Sequence, residues 1–365
     1  MQFKSNKPIV VTVPSLSSID EFTEILKSAW DSRILTHNGP LVQRLEKEVN
    51  AFLNTSQCVA VTNGTVALQL AIKAYGLIGE IITTPFSWIA TASAINWEQC
   101  TPVFVDIDPE TFNIDPSRIE AAITPNTCAI MPVHVFSNPA DIDAIEVIAK
   151  KHNLKVIYDA AHAFAVNYKG KTVMEYGDIS CTSFHATKIF NSGEGGACFT
   201  KDFDIFKKLQ RLRFFGHDDS KEITDDGMNG KMTEIHSAIG LANLKYVNEV
   251  IRKRKEIFSI YKTNLEGLDG IKFQKFNADN YNYSYMPVVF KSEDKLSKII
   301  SALNTANVFP RRYFNPSLNT IKYLNCNGKM PFSEDLALRI VCLPSHNDLD
   351  FESIHNICDL IKNNY

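Results

Sequence analysis

Between residues 58 and 200, short apolar runs alternate with amphipathic stretches, and this alternation restricts the possible folds more than any other feature. Apolar runs of strand length that are bounded by turn residues are predicted as β-strands. These runs are Cys58–Thr62, Glu80–Thr84, Pro102–Asp106, Cys128–His134, Lys155–Asp159, Ile179–Phe184 and Gly196–Thr200. The stretches with helical periodicity between them include Val66–Tyr75, Ala90–Trp97 and Asp141–His152. Strands that alternate with helices form a mostly parallel sheet covered by helices, so we predict an α/β fold.

The segments on either side of this alternation have a different character. Residues 17–53 are predicted to be helical, with a turn at Thr36–Pro40. The C-terminal third contains a predicted charged helix, a strand and two further helices, at Lys245–Leu265, Tyr283–Phe290, Ser292–Asn304 and Phe351–Ile361. The basic run Arg252–Lys255 in the first of these is interpreted as a solvated helix face. We therefore predict a large α/β domain over 1–246 and a smaller α+β domain over 247–365.

The composition disfavours several classes of function. The net charge of −3 gives no basic field, so nucleic acid is not an expected partner. No apolar stretch reaches the roughly 20 residues of a membrane helix, and the N-terminus lacks the apolar core of a secretory signal. The eight cysteines are scattered without a C-x-x-C pair, and the histidines have no metal-ligand spacing. We expect a cytoplasmic protein with reduced thiols, no membrane association and no metal site.

Three polar residues, Asn63, Asp159 and Lys188, fall at or just after the ends of predicted strands. In an open α/β sheet the ligand binds beyond the carboxyl ends of the strands, so these residues are expected at one edge. Lys188 also has a hydroxyl residue, Ser183, five positions before it and glycines shortly after it, from Gly193. A lysine that follows a buried carboxylate in this setting suits a Schiff base with pyridoxal phosphate, with the carboxylate at the ring nitrogen. We therefore predict that Lys188 is the catalytic lysine of a pyridoxal phosphate site.

Asp159 and His162 are the candidates for polar contacts to the cofactor ring. Asp159 ends an apolar run and is followed by small residues that let a planar ligand approach. A buried carboxylate is stabilised by a pyridinium partner, although a helix N-cap aspartate is the alternative interpretation. His162 can reach the ring hydroxyl, or it can be a core histidine that the backbone satisfies.

Residues for the cofactor phosphate and for the face of its ring are also present. Gly64 and Thr65 stand at the start of a predicted helix, where backbone N–H groups and the helix dipole bind anions. Ser183 adds a hydroxyl for the same phosphate. Trp88 is the candidate for stacking on the ring, with an ordinary core position as its alternative. The glycines that begin at Gly193 precede a strand, so they do not form the fingerprint of a nicotinamide-binding Rossmann fold.

The chain resembles the sugar-nucleotide aminotransferases of the DegT/DnrJ type, which are fold-type I pyridoxal phosphate enzymes. The resemblance covers nearly the whole length and is carried by Thr36–Pro40, Asn63–Leu68, Pro85–Thr91, Pro102–Asp108, Pro132–Phe136, Asp159–His162, Ser183–Lys188, Gly193–Ala197 and Gly227–Ile235. It implies these same cofactor contacts, within a large domain that holds a mostly parallel mixed sheet. It also implies that Asn229 reaches the phosphate of the neighbouring subunit's cofactor, in a homodimer with a shared active site. His162 stands where the family often has glutamine.

The reaction that the resemblance implies moves an amino group from L-glutamate to a nucleotide-linked keto-sugar. Lys188 matches the lysine of the aminating enzymes, whereas one branch of the family has histidine there and catalyses dehydration. Arg311, Arg312 and Tyr313 are the candidates for the sugar-nucleotide pocket, because diphosphates bind to cationic and hydroxyl groups. An ordinary surface turn is the alternative interpretation of these three residues.

The motif variants are similar to those of enzymes that convert dTDP-4-keto-6-deoxy-D-glucose to dTDP-4-amino-4,6-dideoxy-D-glucose. That substrate is the expectation, and the resemblance implies O-antigen or another lipopolysaccharide glycan as the use of the product. Amination at C3 of a related dTDP-keto-sugar is one alternative. A non-catalytic regulatory protein on the same scaffold is the other alternative, and it predicts the loss of a cofactor-handling residue, which the sequence does not show.

Overall fold

The computed structural model describes residues 3–324, 326 and 328–365. Its strands are β1 Ile9–Val10, β2 Cys58–Val61, β3 Glu80–Thr83, β4 Thr101–Phe104, β5 Thr127–Met131, β6 Lys155–Asp159, β7 Asn167–Tyr168, β8 Lys171–Thr172, β9 Ile179–Ser183, β10 Gly196–Phe199, β11 Met286–Val289, β12 Val308–Phe309 and β13 Ile340–Leu343. Its α-helices are α1 Ile19–Ser32, α2 Pro40–Leu53, α3 Gly64–Ala74, α4 Ala90–Trp97, α5 Ile119–Ala122, α6 Ile142–His152, α7 Phe203–Leu212, α8 Glu234–Leu244, α9 Val247–Leu265, α10 Glu293–Thr305, α11 Pro331–Arg339 and α12 Phe351–Asn364.

Seven of these strands form one sheet, in the order β2-β10-β9-β6-β5-β3-β4. Neighbouring strands are parallel except at β10, which runs antiparallel to both β2 and β9. Alternate residues of β2 pack into two different apolar cores: Cys58 and Ala60 into one, Val59 and Val61 into the other. Strands that are covered on both faces read as continuous apolar runs, which is why all seven are visible in the sequence. The predicted α/β fold with a mostly parallel mixed sheet is confirmed.

A further apolar core belongs to the smaller C-terminal unit. There β11 and β13 pair antiparallel, and helices α10 and α12 pack beside them. Ile9 of β1, which pairs in parallel with β12, also packs in this core. Helix α9 joins the two units, because Val247 and Val250 pack against the large sheet whereas Phe258 and Leu265 pack in the C-terminal core. The α+β character of this unit agrees with the sequence prediction, and the division at residue 247 stays a prediction.

Parts of the C-terminal half differ from the sequence prediction. Helix α8 ends at Leu244 and α9 begins at Val247, so Lys245 lies between two helices and not at the start of the predicted one. The interpretation of the basic run as a solvated face is wrong for Arg254, which is 1% exposed. Its guanidinium donates to Ser284 O at 2.9 Å and to Asn347 Oδ1 at 3.1 Å, and these acceptors replace water.

Two further observations concern membranes and metal ions. Within the described residues, no helix combines the length and the apolar character needed to cross a membrane. The same residues contain no group of three or more His, Cys, Asp or Glu side chains arranged to hold a metal ion. Each of the eight cysteines is a free thiol in this structure.

Candidate active site

A cavity of about 380 Å³ opens at the carboxyl edge of the large sheet, and its size is that of a small-molecule site. Strands β2, β6 and β9 all run in one direction and end at this edge, so the residues that follow them come together. The sequence-predicted site residues that line the cavity are Gly64, Thr65, Trp88, Asp159, His162, Ser183, Lys188, Arg311 and Tyr313. The other two, Asn229 and Arg312, do not line it.

Lys188 lies in the loop that joins β9 to β10. Because these strands are antiparallel neighbours, the loop returns directly to the sheet edge and does not cross a face of the sheet. Backbone hydrogen bonds from Phe184 N to Gly195 O and from Ala186 N to Gly193 O, both 2.8 Å, join its two arms. Gly193 has a φ of 77°, a left-handed conformation that glycine adopts without strain. The loop therefore fixes the backbone of Lys188 at the mouth of the cavity.

The amine of Lys188 is enclosed by protein, although part of the side chain faces the cavity. Its Nζ lies 3.4 Å from the hydroxyl oxygen of Tyr285. Loss of hydration lowers the pKa of Lys188 to about 8, and the carboxylate of Asp159 opposes this change. Near physiological pH a useful fraction of the amine is therefore neutral, and the neutral amine is the form that acts as nucleophile and base.

Asp159 ends β6 and is 6% exposed. Thr91 Oγ1 donates to its Oδ2 at 2.7 Å, and the backbone N–H of Ala161 donates to its Oδ1 at 3.2 Å. Burial raises the pKa of Asp159, whereas these two hydrogen bonds and the charge of Lys188 oppose the increase. No helix begins after Asp159 in this described part of the chain, so the N-cap alternative does not apply. The carboxylate is available to a positively charged partner inside the cavity.

The opposite end of the cavity is the N-terminus of α3. Asn63 caps this helix through its Oδ1, which accepts from Val66 N at 2.9 Å. A side chain at Gly64 would place its Cβ 2.9 Å from the Cβ of Ser183, so only glycine fits between the helix and β9. The first N–H groups of a helix have no partner within it and attract anions. Together with the Thr65 and Ser183 hydroxyls, they form a set of donors for a phosphate.

His162 is buried beside Asp159 and makes no hydrogen bond through Nδ1 within the described residues. Burial and the nearby charge of Lys188 hold the pKa of His162 well below its usual value, so the imidazole is neutral. Its ring lies parallel to those of Phe136 and Phe314, with centroids 6.4 and 5.9 Å away. The orientation of the neutral His162 imidazole is thus fixed at the wall of the cavity.

The outer part of the cavity is aromatic and basic. Trp88 is half exposed, and the Arg311 guanidinium lies 5.6 Å from its ring centroid and 4.6 Å from that of Tyr313. The backbone of Arg311 forms a β-bridge with Cys342, with hydrogen bonds of 3.1 and 2.8 Å. Arg311 is therefore anchored to β13, and the chain turns directly after it, at Tyr313 and Phe314, so the predicted turn is present and its side chains line the cavity.

Arg312 and Asn229 lie away from this cavity. Tyr313 N donates to Arg311 O at 3.0 Å, so the backbone turns tightly at Arg312, whose side chain pairs with Glu293 at 3.0 Å and does not line the cavity. It also donates to Leu338 O at 3.0 Å. Asn229 is exposed and accepts a hydrogen bond from Lys231. Neither side chain therefore belongs to the wall of the cavity in its own chain.

Two residues of the site are missing from the sequence prediction. Thr91 lies at the start of α4, is 1% exposed and belongs to the site through its hydrogen bond to Asp159, without lining the cavity itself. Tyr285 precedes β11 in the C-terminal unit, and an aromatic residue at that place is typical of core packing. Its position depends on how the two units pack together, and no local pattern contains that information.

Comparison with sequence families gives one match across most of the chain. Residues 17–362 match the DegT/DnrJ/EryC1/StrS aminotransferase family. A dTDP-4-amino-4,6-dideoxy-D-glucose transaminase of Shigella dysenteriae is 42% identical over 98% of this chain and 99% of its own length. A protein of the same name from Escherichia coli is 39% identical over the same shares of the two chains. A GDP-perosamine synthase of Escherichia coli O157:H7 is 34% identical over 98% of this chain and 99% of its own.

Solved structures give the same result for the fold. The structure of DesI in the presence of its TDP-sugar product matches with a TM-score of 0.94 and 32% identity, covering 99% of this chain and 94% of that one. PseC of Helicobacter pylori, an aminotransferase of pseudoaminic acid biosynthesis, matches with a TM-score of 0.90 and 25% identity. The match to PseC covers 98% of this chain and 99% of the PseC chain.

Proposed function

Because this chain belongs to the DegT/DnrJ/EryC1/StrS aminotransferase family, we propose that it moves the amino group of L-glutamate to a nucleotide-linked keto-sugar, with pyridoxal phosphate as cofactor. The observation that carries the proposal is one cavity with a lysine of lowered pKa and a buried carboxylate at its wall, and a helix N-terminus at its end. The best candidate substrate is dTDP-4-keto-6-deoxy-D-glucose. The relatives from Shigella dysenteriae and Escherichia coli that are named for dTDP-4-amino-4,6-dideoxy-D-glucose support this choice.

The donor set of the cavity fits pyridoxal phosphate. The phosphate would bind at Gly64 and Thr65 with the hydroxyl of Ser183, where a Cβ on Gly64 would fill the available space. The pyridine nitrogen would face Asp159, which accepts from two donors among the described residues and has a pKa raised by burial. The neutral imidazole of His162, which lines the cavity, offers a partner for a ring hydroxyl. Trp88 would cover the face of the ring. Each polar group of the cofactor thus has a counterpart.

Lys188 is proposed to carry the proton during amino transfer. When bound, pyridoxal phosphate supplies an electron-accepting ring that stabilises negative charge on the reacting carbon. With a pKa of about 8, the amine of Lys188 can accept a proton from that carbon and return it without a large energetic cost in either direction. Its enclosure by protein keeps bulk water from competing for the proton. Asp159, held by Thr91, would keep a positive charge on the ring nitrogen.

The two structural units are proposed to act as a large domain over 1–246 and a small domain over 247–365, with the substrate between them. Arg311 and Tyr313, on the segment anchored to β13, would contact the nucleotide-linked sugar, because a guanidinium and a hydroxyl suit diphosphate and sugar oxygens. Arg312 would hold that segment through Glu293 instead of touching the substrate. The free cysteine thiols support a cytoplasmic location, and the product would enter a surface glycan.

A substrate panel tests the proposal. Purified protein loaded with pyridoxal phosphate would be incubated with glutamate and with dTDP-, UDP- and GDP-linked keto-sugars, including a dTDP-3-keto-6-deoxyhexose. We expect 2-oxoglutarate and an amino sugar in a one-to-one ratio, with dTDP-4-keto-6-deoxy-D-glucose giving the highest kcat/KM. A preference for the 3-keto sugar would overturn the proposed carbon, and the absence of 2-oxoglutarate with every acceptor would overturn amino transfer itself.

A homodimer with shared active sites is also proposed. Asn229 is exposed and does not line the cavity of its own chain, which suits a contact with the cofactor phosphate of a second copy. Exposed apolar side chains lie nearby on the surface, at Trp30, Leu35 and Ile235. Leu35 and Glu234 are joined by a backbone hydrogen bond of 3.0 Å, so the ends of α1 and α8 form one apolar surface for a partner.

Mixing of two inactive variants distinguishes a shared site from a self-contained one. Lys188→Ala and Asn229→Ala should each be strongly impaired as pure proteins. After mixed refolding, a heterodimer contains one site with both residues intact. Random pairing then predicts recovery of about a quarter of the wild-type activity. No recovery, with mixed dimers demonstrated by two different affinity tags, would mean that Asn229 serves its own chain or none.

A further inference from the structure

Tyr285 is in direct contact with the amine of Lys188. Its hydroxyl oxygen lies 3.4 Å from Nζ, and the side chain lines the same cavity. The tyrosine is 4% exposed, and burial raises its pKa, so the phenol stays protonated through the physiological range. A protonated phenol can both donate and accept a hydrogen bond. The lysine side chain is flexible, so holding its amine in one position costs conformational entropy.

The ring of Tyr285 is held on several sides by other aromatic residues. Ring centroids lie 4.7 Å away at His162, 5.5 Å at Phe136 and 5.7 Å at Tyr313. These contacts fix the direction in which the hydroxyl points. A side chain that is packed in this way places its polar atom with little motion.

The backbone at Tyr285 is equally constrained. The next residue, Met286, begins β11 and pairs with Leu343 of β13. The residue before it, Ser284, has its carbonyl oxygen bound by the buried guanidinium of Arg254 at 2.9 Å. The Ser284 hydroxyl donates to Asn282 Oδ1 at 2.6 Å. Arg254 thus holds the backbone next to Tyr285, although the sequence predicts a solvated position for this arginine.

We infer that Tyr285 is a positioning residue, whose hydroxyl holds the amine of Lys188 at the point where it meets the cofactor and the substrate carbon. The inference rests on the proposed function, because it assigns a task in amino transfer. The hydroxyl accepts a hydrogen bond from the protonated amine and donates one to the neutral amine, so it holds both forms between which Lys188 alternates. The small domain thereby takes part in the chemistry of the large one through a single oxygen atom.

Tyr285→Phe removes that atom and keeps the ring. We expect kcat to fall about tenfold, with the KM values for glutamate and the keto-sugar changed less than about twofold. The cofactor-free protein gives an independent readout, since covalent capture of added pyridoxal phosphate needs an aimed amine. We expect the capture rate, followed by visible absorbance, to fall severalfold while the final stoichiometry stays at one per chain. The melting temperature of the cofactor-free protein should match the wild type.

Tyr283→Phe is the matched control, because it removes a hydroxyl two residues away that does not line the cavity. It should leave capture rate and kcat at wild-type values. Equal behaviour of the two variants would overturn the inference, and so would loss of folding in Tyr285→Phe, which would make the hydroxyl structural. Failure of the wild-type protein to capture the cofactor would instead overturn the proposed function, and the two failures are therefore distinguishable.

Discussion

Replacement of Lys188 by alanine is expected to abolish amino transfer, with kcat reduced by a factor of about 10³–10⁴ or more. The variant loses the group that accepts and returns the proton, and it loses the covalent capture of the cofactor. The fold should not suffer, because Lys188 is a cation whose enclosure by protein disfavours its charged form, as its lowered pKa of about 8 indicates. Borohydride reduction in the presence of pyridoxal phosphate should label the wild-type peptide around Lys188 and leave this variant unlabelled.

Two further measurements make the result for Lys188 specific. A small primary amine such as methylamine should restore part of the activity of Lys188→Ala, whereas it should have no effect on Lys201→Ala, an exposed lysine at the far end of β10. In the wild type, only the neutral amine captures the cofactor. The capture rate should therefore rise with pH and level off above about pH 8, well below the range of an ordinary lysine. A label on another lysine, or capture that keeps rising to about pH 10, would contradict the assignment.

Asp159→Asn is expected to lower kcat/KM by a factor of about 10²–10⁴, since loss of one partner of a buried ion pair costs about 3–5 kcal/mol. Asparagine keeps the shape and the hydrogen bonds of the site, because the Thr91 hydroxyl can turn and accept. In the cofactor-free protein, the same substitution should leave the free energy of unfolding unchanged or raise it. Burial raises the pKa of Asp159, so its contribution to stability is present below the unfolded pKa and is lost as the pH rises through the folded pKa.

The cofactor-free Asp159→Asn protein should therefore melt at the same or a higher temperature than the wild type at about pH 7. That difference should shrink as the pH falls towards about 4, where both states bind the proton. Asp106 provides the control, because it also follows a strand of the large sheet but accepts from Phe332 N and Ser333 N, both at 2.9 Å, at the start of α11. Asp106→Asn should lose stability and keep its affinity for the cofactor. A cofactor-free Asp159→Asn protein that melts well below the wild type would mean that Asp159 is structural as well.

The large sheet was predictable because its strands are buried on both faces and are therefore continuous apolar runs. Once the sheet is mostly parallel, topology alone brings the ends of β2, β6 and β9 to one edge, and with them the neighbourhood of Asp159 and Lys188. The positions of Asp159 and Lys188 therefore follow from the parallel arrangement of the strands, which the sequence pattern predicts.

The part of the site that comes from the C-terminal unit was much less predictable. Residues 311–313 are contiguous, yet Arg311 and Tyr313 line the cavity whereas Arg312 pairs with Glu293. That distinction depends on the tight turn at Arg312 and on the pairing of Arg311 with Cys342, and neither has a signature in the local sequence. Tyr285 and the burial of Arg254 depend on the packing of two units that meet only in the folded chain.

The antiparallel direction of β10 has a consequence for efforts to alter this enzyme. Gly196 faces Val61 on one side and Ser183 on the other, and a Cβ on it would lie 2.6 Å from the Asn63 carbonyl carbon. Residues 184–195 therefore act as a spacer of set length, although loops normally tolerate insertion and deletion. Removal of one residue would turn every β10 side chain to the opposite face and misplace the anion-binding end relative to the reactive amine. Libraries aimed at new sugar acceptors are better directed to residues 311–314, which do not belong to the paired strands β2, β9 and β10.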